Sequence, residues 1–323
     1  IQSGTPWIPI LRVVAPASAG GDDEGHLGLR LTLDADPTVS VSGIIPVEAN
    51  RTRGLSILGP EGLPVSEGLG FPGGDAMAWV LIENLGNAAE NQVVQSWGST
   101  EWGDDLRIYD PTSGEEIIGL TLPPNSAMEV YASLEIPNDA LTGDNVSTIL
   151  QLCVGQSQDQ TCDDIELTFV TADVVVEPPH RRMVPGPTEY RISAKMPEDA
   201  TSLNWSISDL GMSLPGWLWT STDDNLSIDG DRLEITGAQG SHVDAVIVLE
   251  QTVSLQYIQP GFLSFEGESE GPAYSLMSFS IEILQQHNAS LEMANENDAA
   301  SQSLEIGDTF FSVLKMRNSG NGP

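Results

Sequence analysis

The stretch AMEVYASLEI, residues 127–136, decides the fold class. Met128, Val130, Ala132, Leu134 and Ile136 fall on one side of an extended chain, and Glu129, Tyr131, Ser133 and Glu135 on the other. Side chains alternate across a strand with a period of two, so the pattern predicts a strand that lies on a core by one face and meets water with the other. Pro137 ends it, since proline cannot donate to a ladder. Working outward, MAWVLIEN (77–84), VSTILQLCV (146–154) and DDIELTFV (163–170) carry the same kind of pattern, separated by PPNS, NDALTGDN and GQSQDQT. Those connections are turn chemistry. Short strands with polar turns predict an antiparallel β-sandwich from about residue 54 to 176.

Composition narrows the function classes. The chain has 323 residues, with 47 Asp+Glu against 12 Lys+Arg and a net charge of −35; Lys195 and Lys315 are its lysines. Such a field repels nucleic-acid phosphates and anionic lipid, which argues against a DNA, RNA or polybasic membrane role. It favours solubility and saline surroundings. No apolar run is long enough to span a bilayer. The opening IQSGTPWIPILRVVAPASAG is broken by Pro6, Pro9 and Arg12 and does not read as a signal peptide.

The chain also repeats itself. IENLGNA (82–88) returns as MRNSGNG (316–322) at an offset of 234, which lays Val80 on Leu314, Ile82 on Met316, Asn84 on Asn318, Gly86 on Gly320 and Asn87 on Asn321. Upstream, Gly73 falls on Gly307. Matched apolar alternation into the same turn predicts a structural repeat. At the other end, WIPILRVVAPASAGGDDEGHLGLRLTLDAD can be laid beside VSTILQLCVGQSQDQTCDDIELTFVTAD, and each is followed by a proline-bearing connection, SGIIPVEANRTR (42–53) and VVVEPPHRRMVPGP (174–187). The second, with Pro178, Pro179, Pro185 and Pro187, reads as a semi-rigid linker. The expected organisation is therefore all-β and tandem: 1–53 the C-terminal part of one Ig-like domain plus linker, 54–176 and 177–286 two complete sandwiches, and 287–323 the first strands of another. With no initiator Met and a new unit just begun, the sequence is expected to be an excerpt of a longer chain.

Two units resemble known families. The strand into N-x-G-N, together with LPPNSAMEVYASLEIP (122–137), is similar to the CARDB-type adhesion repeats of archaeal and bacterial surface proteins. The order SLNWSIS (202–208), SLPGWL (213–218), LEITGAQG (233–240) and VDAVIVLE (243–250) resembles the dystroglycan-type cadherin-like and putative-Ig domains, in which L-P-x-W-L precedes a strand ending in a Gly turn. The resemblance implies Ig-like sandwiches in tandem on a secreted or cell-surface chain, with no obligatory catalytic site. An archaeal source is a further expectation from it.

Cys153 and Cys162 are in phase for a cross-strand disulfide closing CVGQSQDQTC, which would point to an oxidising compartment; two free thiols or half of a metal site are the alternatives. Asn50, Asn145, Asn204, Asn225 and Asn288 head N-x-S/T sequons, each a glycan acceptor or a plain turn asparagine. In STDDNLSIDGDRLE, Asp223, Asp224, Asp229 and Asp231 gather hard oxygen ligands that would suit Ca²⁺, although the spacing is not that of an EF-hand and a solvated acidic turn is the plainer reading. Trp217 and Trp219 share one strand face and would either stack on a sugar ring or pack in the sandwich. His26, His180, His242 and His287 are isolated, and no nucleophile elbow or phosphate loop occurs, so a non-catalytic protein without a cofactor is expected.

These observations lead to an extracellular stalk, adhesion or surface-layer module whose partners are neighbouring repeats, other surface proteins or glycans. The alternatives are an accessory carbohydrate-binding region of an extracellular hydrolase and the subunit of an extracellular filament.

Overall fold

The computed structural model describes residues 10–318 except 15, 17–18, 22, 34–35, 92, 104, 156–159, 184, 208–216, 231, 254–260, 270–276, 286–288 and 296–311. The architecture is all-β: two sandwiches flanked by two hairpins. The first hairpin pairs β1 (Glu24–Leu33) with β2 (Asp36–Glu48).

The first sandwich contains β3 (Leu55–Leu58), β4 (Val65–Gly70), β5 (Asp75–Asn84), β6 (Val93–Trp97), β7 (Arg107–Tyr109), β8 (Ser126–Glu135), β9 (Asn145–Val154) and β10 (Thr161–Thr171). The strands form one continuous sheet, β6-β9-β10-β4-β5-β8-β7 with β3 also on β5, which folds over at the short β4–β5 pairing (Gly68 with Ala78, Leu69 with Met77) into two layers, β3-β5-β8-β7 and β6-β9-β10-β4. They face each other across Ile57, Val80, Ile82, Val130, Ile136, Leu150, Leu152, Leu167 and Phe169. The inward face of the opening stretch is as its alternation dictates, with Val130, Ala132 and Leu134 of β8 buried and Ile136 following them into the core; the other face is not simply solvated, since Ser133 is buried and Glu129 and Tyr131 are half-buried.

The first strand of this sandwich is divided between its two layers. β3 pairs antiparallel with β5, then a short 3₁₀ turn at Pro60–Gly62 redirects the chain so that β4 runs parallel to β10. Glu61 and Gly62 take φ of 62° and 72°, the left-handed region that sharp turns exploit. Gly59 is required for a different reason, because a Cβ there would collide with the Val65 carbonyl.

The second sandwich uses β11 (Val174–Glu177), β12 (His180–Met183), β13 (Thr188–Lys195), β14 (Ser202–Ile207), β15 (Trp217–Thr220), β16 (Leu226–Asp229), β17 (Arg232–Thr236), β18 (His242–Gln251), β19 (Gly261–Ser269) and β20 (Met277–Ile283). Its layers run β11-β13-β18-β15 and β12-β20-β19-β14-β17-β16, around Tyr190, Trp205, Trp219, Phe279 and a shell of aliphatic residues. Here too the first strand is split. β11 pairs with β13, the chain turns through Pro178, after a cis Glu177–Pro178 bond, and Pro179, and β12 then runs parallel to β20.

Two expectations about connections need correction. Residues 174–187 are not a semi-rigid linker: Val174 and Val176 are core residues of the second sandwich, Pro178 and Pro179 sit where the strand changes sheets and no ladder bond is lost, and Pro185 and Pro187 lie in the connection between β12 and β13. The second sandwich thus begins at Val174, directly after Ala172-Asp173. At the N-terminal side, residues 10–14 form no strand, and 42–48, expected in a connection, belong to β2. The last hairpin, β21 (Ala289–Asn295) with β22 (Ser312–Asn318), ends its second strand on the asparagine of the repeated turn.

Candidate functional site

The most built feature outside the cores is the joint between the sandwiches. MAWVLIEN is apolar on both faces, and the reason lies in what covers it. Val80 and Ile82 point into the first core, while Trp79 and Leu81 point outward and are nevertheless 2% and 6% exposed. The cover comes from the second sandwich. The His180 ring lies 4.2 Å from that of Trp79, and its Nδ1 is 2.6 Å from Ser280 Oγ on β20. Trp79 Nε1 donates to Glu129 Oε2 at 3.2 Å, and the Ser66 hydroxyl donates to the Trp79 carbonyl at 2.7 Å. Burial, helped by the nearby Arg182 charge, pushes His180 down to about 3, so the ring is neutral at physiological pH.

A second contact closes the joint at its other end. Leu69, Ala172 and Val175 form a small buried cluster with Phe71 and Val170, and the Phe71 ring meets His242 edge-on at 5.3 Å. Ala172 N–H donates to Gly70 O and Lys195 N–H to Asp173 O, both at 2.8 Å, so the two-residue connection is itself hydrogen-bonded to each sandwich.

Beside the joint lies a cleft of about 890 Å³ between Asp75, Tyr109, Asp110, Glu129 and Tyr131 of the first sandwich and Glu177–Arg182 with Arg191 of the second. Three of the ten arginines line it, which is notable in so acidic a chain. Their charges have structural partners: Arg182 Nε lies 2.7 Å from Glu282 and Arg191 2.7 Å from Asp244, while Arg181 donates to Glu189 O and sits over the Tyr190 ring. The Asp110 carboxylate accepts the Ser113 and Thr112 amides, which hold it below the usual carboxylate range. Desolvation raises the hydroxyl pKa of both Tyr131 and Tyr190. The polar groups of the cleft fasten loops and sheets.

The repeated N-x-G-N turn forms a second, smaller joint. Asn84 lies on the inward side of β5, and its amide donates to Ala88 O, Leu122 O and Pro123 O while its Oδ1 accepts Gly86 N–H. A Cβ at Gly86 would collide with the Thr52 carbonyl. Asn87 accepts Thr52 N–H and donates to Asn50 O, and Gly21 N–H reaches the Asn87 carbonyl. Glu90, only 5% exposed along its side chain, pairs with Arg51 at 3.0 Å and Arg53 at 3.4 Å. The turn therefore grips the segment that leads in from the preceding hairpin.

The residues singled out from the sequence fare unequally. Cys153 and Cys162 form a disulfide between directly paired positions of β9 and β10. Trp219 is 4% exposed and packs against Tyr190 and Phe279, so it offers no face to a sugar; Trp217 opens the same strand opposite Gln251, and its side chain lies outside the described residues. Alternation placed the two on one face without saying that the face was the core. Of the acidic turn, Asp223 accepts Val246 N–H and so ties the approach to β16 onto β18, Asp224 and Asp229 are exposed, and Asp231 lies outside the described residues. Among the described residues no three His, Cys, Asp or Glu side chains come together as a metal-holding group. Asn50, Asn145 and Asn225 are exposed, Asn204 is half-buried on β14, and Asn288 lies outside the described residues. Sequence reasoning missed the joint. Its signal was present in Trp79 and Leu81, two large apolar residues on the face of β5 that a solvated sheet would leave polar.

No family model matches the chain, and no curated protein matches it. Among solved structures, similarity is found to a family 123 glycoside hydrolase from Clostridium perfringens (TM-score 0.28, 14% identity, 38% of this chain and 27% of that one). A protein of unknown function from Porphyromonas gingivalis W83 gives a TM-score of 0.26 at 13% identity, over 71% of this chain and 99% of that one. Extracellular cadherin domains 1–4 of protocadherin gamma B7 give 0.25 at 14%, over 93% and 67%. This chain thus spans about a quarter of the hydrolase's length, and the all-β character of the chain rests on its own strands.

Proposed function

We propose that this chain is a non-catalytic, load-bearing segment of a secreted or cell-surface protein, in which sandwiches are joined stiffly in series to hold other parts at a distance. The observation that carries the reading is the buried joint. Trp79 on the outward face of β5 is covered by His180 of β12, which is in turn hydrogen-bonded to Ser280, and only two residues separate the last strand of one sandwich from the first of the next. A flexible string would leave that face polar and that connection long. The Cys153–Cys162 disulfide supports an oxidising, extracellular setting. The acidic surface keeps such an array soluble and suits salty surroundings.

Small-angle X-ray scattering of the chain tests this. The native protein is expected to scatter as one shape with a fixed angle between the sandwiches, and His180→Asp, which places a carboxylate against Trp79, is expected to broaden the distance distribution. A native protein that already scatters as two freely hinged bodies would overturn the reading.

A further inference from the structure

The two flanking hairpins can be set against the two sandwiches through one displacement. The last hairpin shares its register with the start of the first sandwich over four pairs: β3–β5 pairs Leu55 with Asn84 through Leu58 with Leu81, and β21–β22 pairs Ala289 with Asn318 through Glu292 with Lys315, each residue standing 234 positions after its counterpart; beyond them β21 stays paired to Asn295, where the first sandwich turns at Pro60–Gly62. The second sandwich is thus succeeded by a strand pair of the first kind. The same displacement can be applied to the segment that precedes the first sandwich. It lays Val47 and Ile45 of β2 on Ile281 and Phe279 of β20. Their cross-strand partners correspond as well. Gly25 and Leu27 face Val47 and Ile45, as Leu263 and Phe265 face Ile281 and Phe279, so the two hairpins share a register and differ by four residues in the connection between their strands.

Connection lengths discriminate between the two candidates for this equivalence. Six residues separate β2 from β3, and five separate β20 from β21, but only two separate β10 from β11. The hairpin β1–β2 therefore corresponds to β19–β20 of the second kind, and not to β9–β10 of the first, beside which the sequence alone had laid this region. In β20, Phe279, Ile281 and Ile283 face the core. The equivalent positions of the first hairpin belong to a face formed by Leu27, Leu29, Leu31, Val41, Ile45 and Val47. On it Leu31 is 51% and Val41 66% exposed. A lone two-stranded hairpin is marginal in water, and one with an apolar face needs a cover.

We infer that β1–β2 is the closing pair of a sandwich of the second kind, and that its apolar face is a docking surface for the body of such a sandwich, the equivalent of residues 174–260. The composite repeat is then a pair of unlike sandwiches with a period of 234 residues, in which every first-kind sandwich is gripped through its N-x-G-N turn by the strand pair before it. This deepens the tandem-array reading and rests on it, yet fails separately, since its test reads the hairpin and not the joint.

In the test, residues 1–24 of the chain are replaced by a copy of residues 174–260; a control carries residues 54–144, the body of the first sandwich, in the same place. Amide hydrogen exchange along residues 25–47 is expected to slow at least 100-fold in the first fusion and to stay unchanged in the control. Protection by 54–144 alone, or by neither body, overturns the proposal. A reciprocal graft, residues 25–49 in place of 263–283, is expected to keep the exchange protection of Thr188–Lys195; loss of that protection counts against the equivalence even if the fusions fold poorly.

Discussion

The two sandwiches solve one topological problem with different chemistry. Each must carry its first strand from one layer to the other. The first does so with Gly59-Pro60-Glu61-Gly62, using left-handed φ values and a close approach that only glycine permits. The second does so with Pro178-Pro179 and no glycine. Their cores differ in the same spirit. The first is built from small and aliphatic residues such as Ala76, Ala78, Val80 and Ile82, with Phe169 as the one fully buried ring of that cluster, and is stapled by a disulfide. The second holds Tyr190, Trp205, Trp219 and Phe279 in mutual contact distance or in the same cluster, with no cysteine. Similar topology therefore does not imply a common source of stability. One unit depends on close packing of many small groups and a covalent tie, the other on a few large rings.

That contrast is most directly broken at Trp205, which is fully buried. Trp205→Ala is expected to cost the second sandwich about 3–5 kcal/mol, from lost burial and the cavity left behind. The check is residue-resolved hydrogen exchange. Protection along β13 and β18 should collapse while that along β9 and β10 persists; an equal loss in both would show that the sandwiches have one shared stability and that the comparison of their cores is moot.

The joint sharpens the comparison next, because it belongs to both units and carries a titratable ring. His180 sits at about 3 in the folded protein against 6.5 for an ordinary histidine. Between those values the unfolded chain binds a proton that the folded chain refuses. Stability is therefore complete above about pH 6.5 and is lost as pH falls toward 3, by up to about 1.4 kcal/mol per unit. Carboxylates titrate over part of the same range, so the difference between wild type and His180→Gln isolates the ring: the variant should lose less stability between pH 7 and pH 4, by about 2–3 kcal/mol in denaturant titrations. Parallel curves for the two proteins would mean that the ring is wetted and the joint loose.

Much of this architecture was legible in the sequence, for physical reasons. The strands at 127–136, 146–154, 163–170 and 243–250 follow from alternation alone, since one of their faces is core and the other carries mostly polar residues. The shared register of β3–β5 and β21–β22 was signalled by one turn, and that turn is informative because Asn84 is buried and spends its amide on three carbonyls. The split first strand of the second sandwich was not legible. Two adjacent prolines argue for a connection, and only the finished sheets show that they occupy the step between two ladders. Trp219 illustrates the same limit. A period of two says which residues share a face, but assigning that face to core or solvent needs the partner strand, here β18, and the opposing layer that brings Phe279 to 5.8 Å.

The smallest expected effect lies at the staple. Cys153 and Cys162 stand opposite each other, nine residues apart in sequence, so the bond closes a short loop. In the chain-entropy picture a loop of that size restricts the unfolded chain by about 2–3 kcal/mol. Because β9 and β10 are already paired along ten positions, the folded ladder needs no covalent help to find its register; the effect falls on the unfolded state. Cys153→Ala with Cys162→Ala should therefore lower the denaturant midpoint of the first sandwich without changing the exchange pattern inside it, and should leave the second sandwich untouched. If the double variant instead frees the β9–β10 amides in the native state, the disulfide is holding the strands together locally, and the contrast between a stapled core and an aromatic one moves from the unfolded chain to the folded one.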